Sequence, residues 1–257
     1  MKNKKNGNKR KVSFFKRLWL FIRNSILLFF LISIAWVVIA RFVPVWITPL
    51  IYIRSAEAVY SGKMPVIKKD WVSIDHISPQ MIQAVVASED NLFLTHWGFS
   101  VEDINKAIKH NKKGKRIRGG STISQQTAKN VFLWPQRSYV RKAFEAYFTL
   151  LIEVIWSKER IMEVYLNVIE MGDGIYGIEA ASQHYFGKSA AKLTRSQTAR
   201  IAACLPNPRR FNAGHPSPYI KRREAHILNI MTKIGPVDFD KKPVKKTKTK
   251  KAKKKKK

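Results

Sequence analysis

The chain has 257 residues, 45% of them hydrophobic, and seven Trp, enough to bury one good core with appendages. Its 49 Lys and Arg outweigh 17 Asp and Glu to give +32, but roughly nine basic residues fall in 1–23 and roughly a dozen in 241–257, leaving a body of only about +11. A single cysteine, Cys204 in the apolar setting "RIAACLP", excludes an intramolecular disulfide and reads as a core residue.

The first segment, "MKNKKNGNKRKVSFFKR" (1–17), is polar, basic and aperiodic, and is expected to be a disordered cytoplasmic tail. A transmembrane signal-anchor helix is expected over 18–41. Asn24 to Ala40 carries no charge, and with Leu18–Ile22 the stretch reaches about twenty-three residues, long enough to span a bilayer. Arg23 lies a turn inside one edge, from where it can snorkel to the headgroups. A cleaved signal peptide fits less well, because the apolar region is too long and no clear A-x-A site follows. The basic N-terminal flank keeps that end in the cytoplasm by the positive-inside rule, so 42–240 is expected on the outer side of the cell (inner) membrane. Trp46 and Tyr52 in "VPVWITPLIYI" suggest an apolar shoulder at headgroup depth.

The body reads as helix after helix. "SPQMIQAVVASED" offers Ser78 as N-cap, Pro79 at the first helical position and Met81, Ile82, Val85 and Val86 on one apolar face. Glu89 and Asp90 end that face. Ser100 with Asp103 and Thr194 with Gln197 resemble capping boxes, and Ser157 caps a further helix. "RKAFEAYFTLLIEVIW" sets Phe144, Phe148, Leu151, Ile152 and Ile155 in one stripe. Alternating strand patterns are scarce, so the expected fold class is mainly α. The lysine-rich 241–257 is expected to be a disordered tail.

Several motif matches lack their context. "GDGIYG" (Gly172–Gly177) fits G-x-G-x-x-G but follows a helix, not a strand. "GKS" at Gly187–Ser189 would need glycine where Ser182 stands to make a phosphate loop. The six histidines show no metal-binding pairing, so no metal site is expected. Terminal lysine runs attract any polyanion, and a membrane-anchored body implies no specific nucleic-acid partner.

A spaced polar set remains. "RGGSTISQQTAKN" (Arg118–Asn130) opens with a glycine pair and presents Ser121, Thr122, Gln125, Gln126 and Lys129 at helix-start spacing, suited to a phosphate; the alternative is a capped helix with a solvated polar face. In "RKAFE", Arg141 and Glu145 stand at i, i+4 with Lys142 beside them, a pattern that an ordinary surface ion pair also explains.

Five ordered blocks in these residues resemble the peptidoglycan glycosyltransferases of family 51, in particular their monofunctional, membrane-anchored branch: "SEDNLFLTHWG", "GGSTISQQTAKN", "RKAFE", "KERIMEVYLNVIEMGDGIYGIEAAS" and "ARIAACLPNP". Ser124, where the family often has Thr, is a conservative departure. The resemblance implies a lysozyme-like glycosyltransferase domain with a small membrane-proximal lobe from 41–75. It also implies polymerisation of lipid II, a disaccharide-peptide on a polyprenyl pyrophosphate, onto a growing glycan strand. Within that reading Glu89 is the general base on the acceptor 4-hydroxyl and Glu145 a second essential carboxylate. Ser121, Thr122, Gln125, Gln126, Lys129, Arg141 and Lys142 hold the pyrophosphate. Asp90, Phe93 and His96 support the Glu89 loop, and Tyr165, Asn167 and Gly172 shape the cleft floor. No cofactor is required, a divalent cation (Mg or Mn) being optional, and the partners are lipid II, the strand, membrane lipids and cell-wall synthesis or division proteins. Two rivals are a lytic muramidase, which has no use for the cationic blocks, and a non-enzymatic polyanion-binding scaffold, which explains only the tails.

Overall fold

A computed structural model of the chain describes residues 4–100 and 120–240. The helix expected from Ser100 with Asp103, the Arg118–Gly119 opening of the second block and the lysine-rich 241–257 lie outside the described residues.

The first helix, α1 (Lys4–Phe42), contains a 29-residue run, Phe14–Phe42, long and apolar enough to cross a membrane. It starts well before the expected boundary and takes in most of the basic segment read as disordered. The reason is cooperative: Lys and Arg are good helix formers, and the apolar helix that follows supplies a formed nucleus on which each added residue gains a hydrogen bond. The C-terminal end of α1 is fastened to the body. Ser33 Oγ lies 2.7 Å from the Tyr147 hydroxyl, Trp156 Nε1 donates to the Val37 carbonyl at 2.8 Å, and Arg160 Nη2 donates to the carbonyls of Ala40 and Val43. Arg160 thereby satisfies the Ala40 carbonyl, one of those that the helix end leaves open. Trp46 and Tyr52, just beyond, are exposed, as are Leu150 and Val154 on the body.

Eight further helices follow among the described residues: α2 (Pro49–Tyr60), α3 (Pro79–Glu89), α4 (Ile123–Phe132), α5 (Tyr139–Ile155), α6 (Lys158–Val168), α7 (Ile178–Phe186), α8 (Arg195–Cys204) and α9 (Pro218–Ile234). The fold is mainly helical, as expected. One group packs α3 with α8 and α9, another packs α4 with α5 and α6, and a single core joins them. At its centre is α6, whose Ile161, Met162, Val164, Tyr165, Leu166 and Val168 have no exposed surface. Each such side chain contributes about 1.5–3 kcal/mol by burial. Three short strands, β1 (Lys68–Lys69), β2 (Glu170–Gly172) and β3 (Ile175–Tyr176), form a sheet in the order β1-β3-β2 that ties the membrane-proximal segment to the hairpin after α6.

Local signals set most helix starts. Thr194 with Gln197 and Thr122 with Gln125 form complete capping boxes, and Ser138, Ser157 and Ser217 each accept from a first-turn N–H. Ser78 is the exception. It stands at the N-cap position of α3 with Pro79 after it, but its hydroxyl donates to the Leu193 carbonyl at 3.3 Å instead of capping. Helix α3 is also more than amphipathic: Met81 through Ala87 are all buried. Cys204 is 1% exposed, and burial pushes its thiol up to about 11, which suits a core residue.

Candidate active site

Glu89 is the last residue of α3 and is half-buried. Its Oε2 accepts from Gln126 Nε2 on α4 at 3.0 Å, and Ser88 Oγ donates to its Oε1 at 3.2 Å. The Tyr165 hydroxyl of α6 lies 3.4 Å from Gln126 Oε1. Three helices therefore converge on one carboxylate through a single glutamine. Tyr165 is fully buried, and burial, with Glu89 and Asp90 nearby, holds its phenol well above the ordinary value.

Asp90 turns the other way. Buried to 4% exposure, it accepts from the Ile123 backbone N–H at the start of α4 at 3.1 Å, and His96 Nε2 lies 2.9 and 3.1 Å from its two oxygens. A carboxylate at a helix N-terminus is favoured by the free N–H groups there. Behind it lies a polar network that reading the sequence missed. Lys158 Nζ donates to the His96 carbonyl at 2.7 Å and to Glu153 Oε1 at 2.8 Å, Ser124 Oγ donates to the same Glu153 oxygen, and Lys158 sits over the buried Phe93 ring at 4.7 Å. Burial lowers the Lys158 pKa, and Glu153 and then Asp90 oppose that shift. The available signal was Glu153 itself, a lone carboxylate inside the apolar run "LLIEVIW".

After α3 the chain turns at Gly98, where φ is +72° and an added Cβ would meet Thr149 Cγ2 at 2.5 Å, so no side chain fits. Its carbonyl receives the Thr122 hydroxyl at 2.6 Å. Thr122 also accepts from the Gln125 N–H, and Gln125 Oε1 accepts from the Thr122 N–H at 3.0 Å. Both residues are buried, so this pair holds the end of α4, while Ser121 is exposed beside it and Gln126 faces Glu89.

The cationic residues gather on α4 and α5. Arg141 Nη1 donates to Glu145 Oε2 at 2.8 Å, and Lys142 Nζ donates to Glu145 Oε1. Side-chain exposure of 10% for Arg141 and 4% for Glu145 removes this pair from the class of solvated surface bridges. The buried Arg141 Nε has no partner. Lys129, one turn beyond Gln126, is half-buried. Burial lowers its pKa, Glu145 opposes the shift, and Arg141, Arg137 and Lys142 add to it. Arg137, exposed just before α5, thus joins the cluster's field although the sequence reading passed over it. A cavity of about 260 Å³ is lined by Gln126, Lys129, Tyr165, Trp134, Arg54 and Glu170. Among the described residues no group of three or more His, Cys, Asp or Glu is placed to hold a metal ion.

Two residues expected at the cleft floor sit deeper. Asn167, fully buried, exchanges hydrogen bonds with the backbone of Val72, accepting at 3.0 Å and donating at 2.9 Å. Gly172 in β2 lies where an added Cβ would meet the Tyr185 hydroxyl at 2.4 Å. Both secure the frame around Tyr165.

A glutamine-held carboxylate at the end of a buried helix and, on the neighbouring helices, a buried Arg–Glu pair with the exposed Lys142 and half-buried Lys129 set a candidate base and candidate cations in one part of the fold. The family model described as Transglycosylase matches residues 58–232, which include both halves of this site. The chain belongs to the transglycosylase family. It is similar to proteins named biosynthetic peptidoglycan transglycosylase. That of Bacteroides thetaiotaomicron is 55% identical over 243 residues, covering 93% of this chain and 97% of the relative. That of Bdellovibrio bacteriovorus is 54% identical over 219 residues, covering 85% and 88%. That of Escherichia coli is 49% identical over 225 residues, covering 85% and 93%. As a member of the transglycosylase family the chain is a glycosyltransferase.

Proposed function

We propose that this peptidoglycan glycosyltransferase polymerises lipid II into glycan strands at the outer face of the cell membrane. The observation that carries the reading is the pairing of Glu89, half-buried and held by Gln126, with the buried Arg141–Glu145 pair, the exposed Lys142 that donates to it, and Lys129, all on the adjoining helices. In the reaction the acceptor 4-hydroxyl forms a bond to the donor's anomeric carbon with inversion. The bond from that carbon to the pyrophosphate breaks, and polyprenyl pyrophosphate leaves with the electron pair. A sugar hydroxyl is too weak an acid to attack unaided, so Glu89 takes its proton. Negative charge grows on the leaving pyrophosphate, and cations fixed in advance stabilise that charge without reorganising.

Lys129, Arg141 and Lys142 supply those cations, and the unpartnered Arg141 Nε is a donor still in want of an acceptor. Glu145 keeps Arg141 and Lys142 in place, Ser121 is an exposed hydroxyl available to a phosphate oxygen, and Thr122 and Gln125 act by fixing the end of α4. A divalent cation is an optional partner of the pyrophosphate oxygens. The N-terminus is cytoplasmic and the body extracytoplasmic, which puts the site on the side where membrane lipids present lipid II and where cell-wall synthesis or division proteins act. The docked outer end of α1 supports a fixed distance between membrane and cleft.

Incubating the purified full-length protein with lipid II in detergent, with and without a chelator, tests the reading. Polymerised glycan is the expected product. Cleaved glycan would indicate a lytic enzyme, and unchanged lipid II a non-enzymatic scaffold.

A further inference from the structure

Glu89 is placed by two neighbours from different parts of the chain: the segment from Asp90 to Trp97 that follows it, and Gln126 on α4, which donates to it at 3.0 Å. The segment is a run of turns with no helix or strand of its own, so what holds it comes from elsewhere. Both neighbours lead back to one carboxylate oxygen. Lys158 Nζ, at the first position of α6, donates to the His96 carbonyl at 2.7 Å and to Glu153 Oε1 at 2.8 Å. Ser124 Oγ, two positions before Gln126 on α4, donates to that same oxygen. Asp90 braces the arrangement by accepting from the Ile123 N–H at 3.1 Å. The spacing between Glu89 and Gln126 is therefore set from both sides at Glu153.

The corner between α5 and α6 that carries Glu153 and Lys158 is itself pinned. Trp156 is buried and donates to the Val37 carbonyl of α1 at 2.8 Å, and Arg160 reaches the Ala40 carbonyl at 2.8 Å. A support tied both to the core and to the long first helix is a rigid reference for a group whose position matters to a fraction of an ångström.

Stability alone does not account for the ion pair. The side chains of Glu153 and Lys158 are 4% and 21% exposed, and the cost of desolvating two charges offsets much of their attraction, so apolar residues of like volume often stabilise as well or better. What a charged pair supplies and an apolar pair does not is direction, through short hydrogen bonds to chosen atoms. Lys158 uses its charge entirely inside the protein, on the His96 carbonyl, on Glu153 and over the buried Phe93 ring at 4.7 Å.

We propose that Glu153 and Lys158 are positioning residues for the reaction, holding the Glu89 carboxylate in register with Gln126 without touching substrate. The inference rests on the function proposed above and deepens it.

Steady-state kinetics of the full-length protein on lipid II in detergent, read beside thermal unfolding, test it. The paired variant Glu153→Leu with Lys158→Met keeps side-chain volume and is expected to melt near the parent temperature, while kcat falls about tenfold or more and KM stays within about twofold. A cycle with the base separates positioning from general support. In a Glu89→Gln background, adding Lys158→Met is expected to change the residual turnover by less than about twofold, because a residue that works through Glu89 has nothing left to place. If the paired variant does not fold, Glu153→Gln decides, since it keeps volume and one acceptor oxygen; a loss of kcat of about threefold or more at unchanged KM is expected. Parent kcat in the folded variants, or full additivity with Glu89→Gln, overturns the positioning role and leaves the polymerase reading intact. A parent protein that makes no polymer overturns the polymerase reading itself.

Discussion

Asp90→Ala removes a carboxylate with two identified tasks, receiving the Ile123 N–H at 3.1 Å and facing His96 Nε2 at 2.9 Å. Both contacts are in the interior, since the Asp90 side chain is 1% exposed and that of His96 10%. A hydrogen bond to a charged group is worth about 1.5–3 kcal/mol, and a buried donor left without a partner costs about 1–3 kcal/mol. His96 Nδ1 already lacks a partner, so the ring would have no hydrogen bond at either nitrogen. Losing both contacts amounts to about 3–6 kcal/mol. For a body of this size each kcal/mol shifts the melting temperature by about 2–4 °C, so a drop of about 6–24 °C is expected. Asp90→Asn keeps one acceptor oxygen and should lose about half as much. Thermal unfolding of the full chain in detergent, followed by far-UV circular dichroism, reads the effect. An Asp90→Ala protein that melts within about 2 °C of the parent would show that α4 does not depend on this carboxylate, and the division of roles between Glu89 and Asp90 would fail.

Its neighbour should behave oppositely. Glu89→Gln retains an acceptor for Gln126, so its melting temperature should match the parent's while turnover of lipid II falls about 10²-fold or more; near-normal polymerisation would remove Glu89 as the base. Arg141→Ala should lower turnover about 10–150-fold, from the roughly 1.5–3 kcal/mol of a charge-assisted contact, and should also cost stability because Glu145 keeps only Lys142; a fully active variant would reduce the cluster to a structural pair. Burial lowers the pKa of Lys129 below the ordinary lysine value of 10.5, so its charge is present below that lowered pKa and lost as pH rises through it. The alkaline limb of kcat/KM should therefore fall before 10.5, and Lys129→Arg should move the limb upward; an unmoved limb would assign it to another group.

Much of the chain was legible without coordinates, because the signals are short-range. An unbroken apolar stretch declares α1, a threonine and a glutamine three positions on declare the starts of α4 and α8, and the period of Phe148 and Ile152 declares the buried side of α5. The basic segment read as disordered was misjudged because a helix propagates from a formed neighbour more easily than its own composition suggests. The same local signals named the residues of the site and left their duties open. Thr122, Gln125 and Gln126 look alike in the second block, yet the first two close a capping box and the third holds Glu89, 37 positions away.

Spacing along the sequence thus determined the anchor, the helices and the residues worth examining. Only the tertiary structure decided that Asp90 serves α4 and that Glu153 and Lys158 stand behind it. The reason is one of range: helix periods and caps act within a turn, whereas the partner a buried polar group meets is set by which remote elements pack beside it.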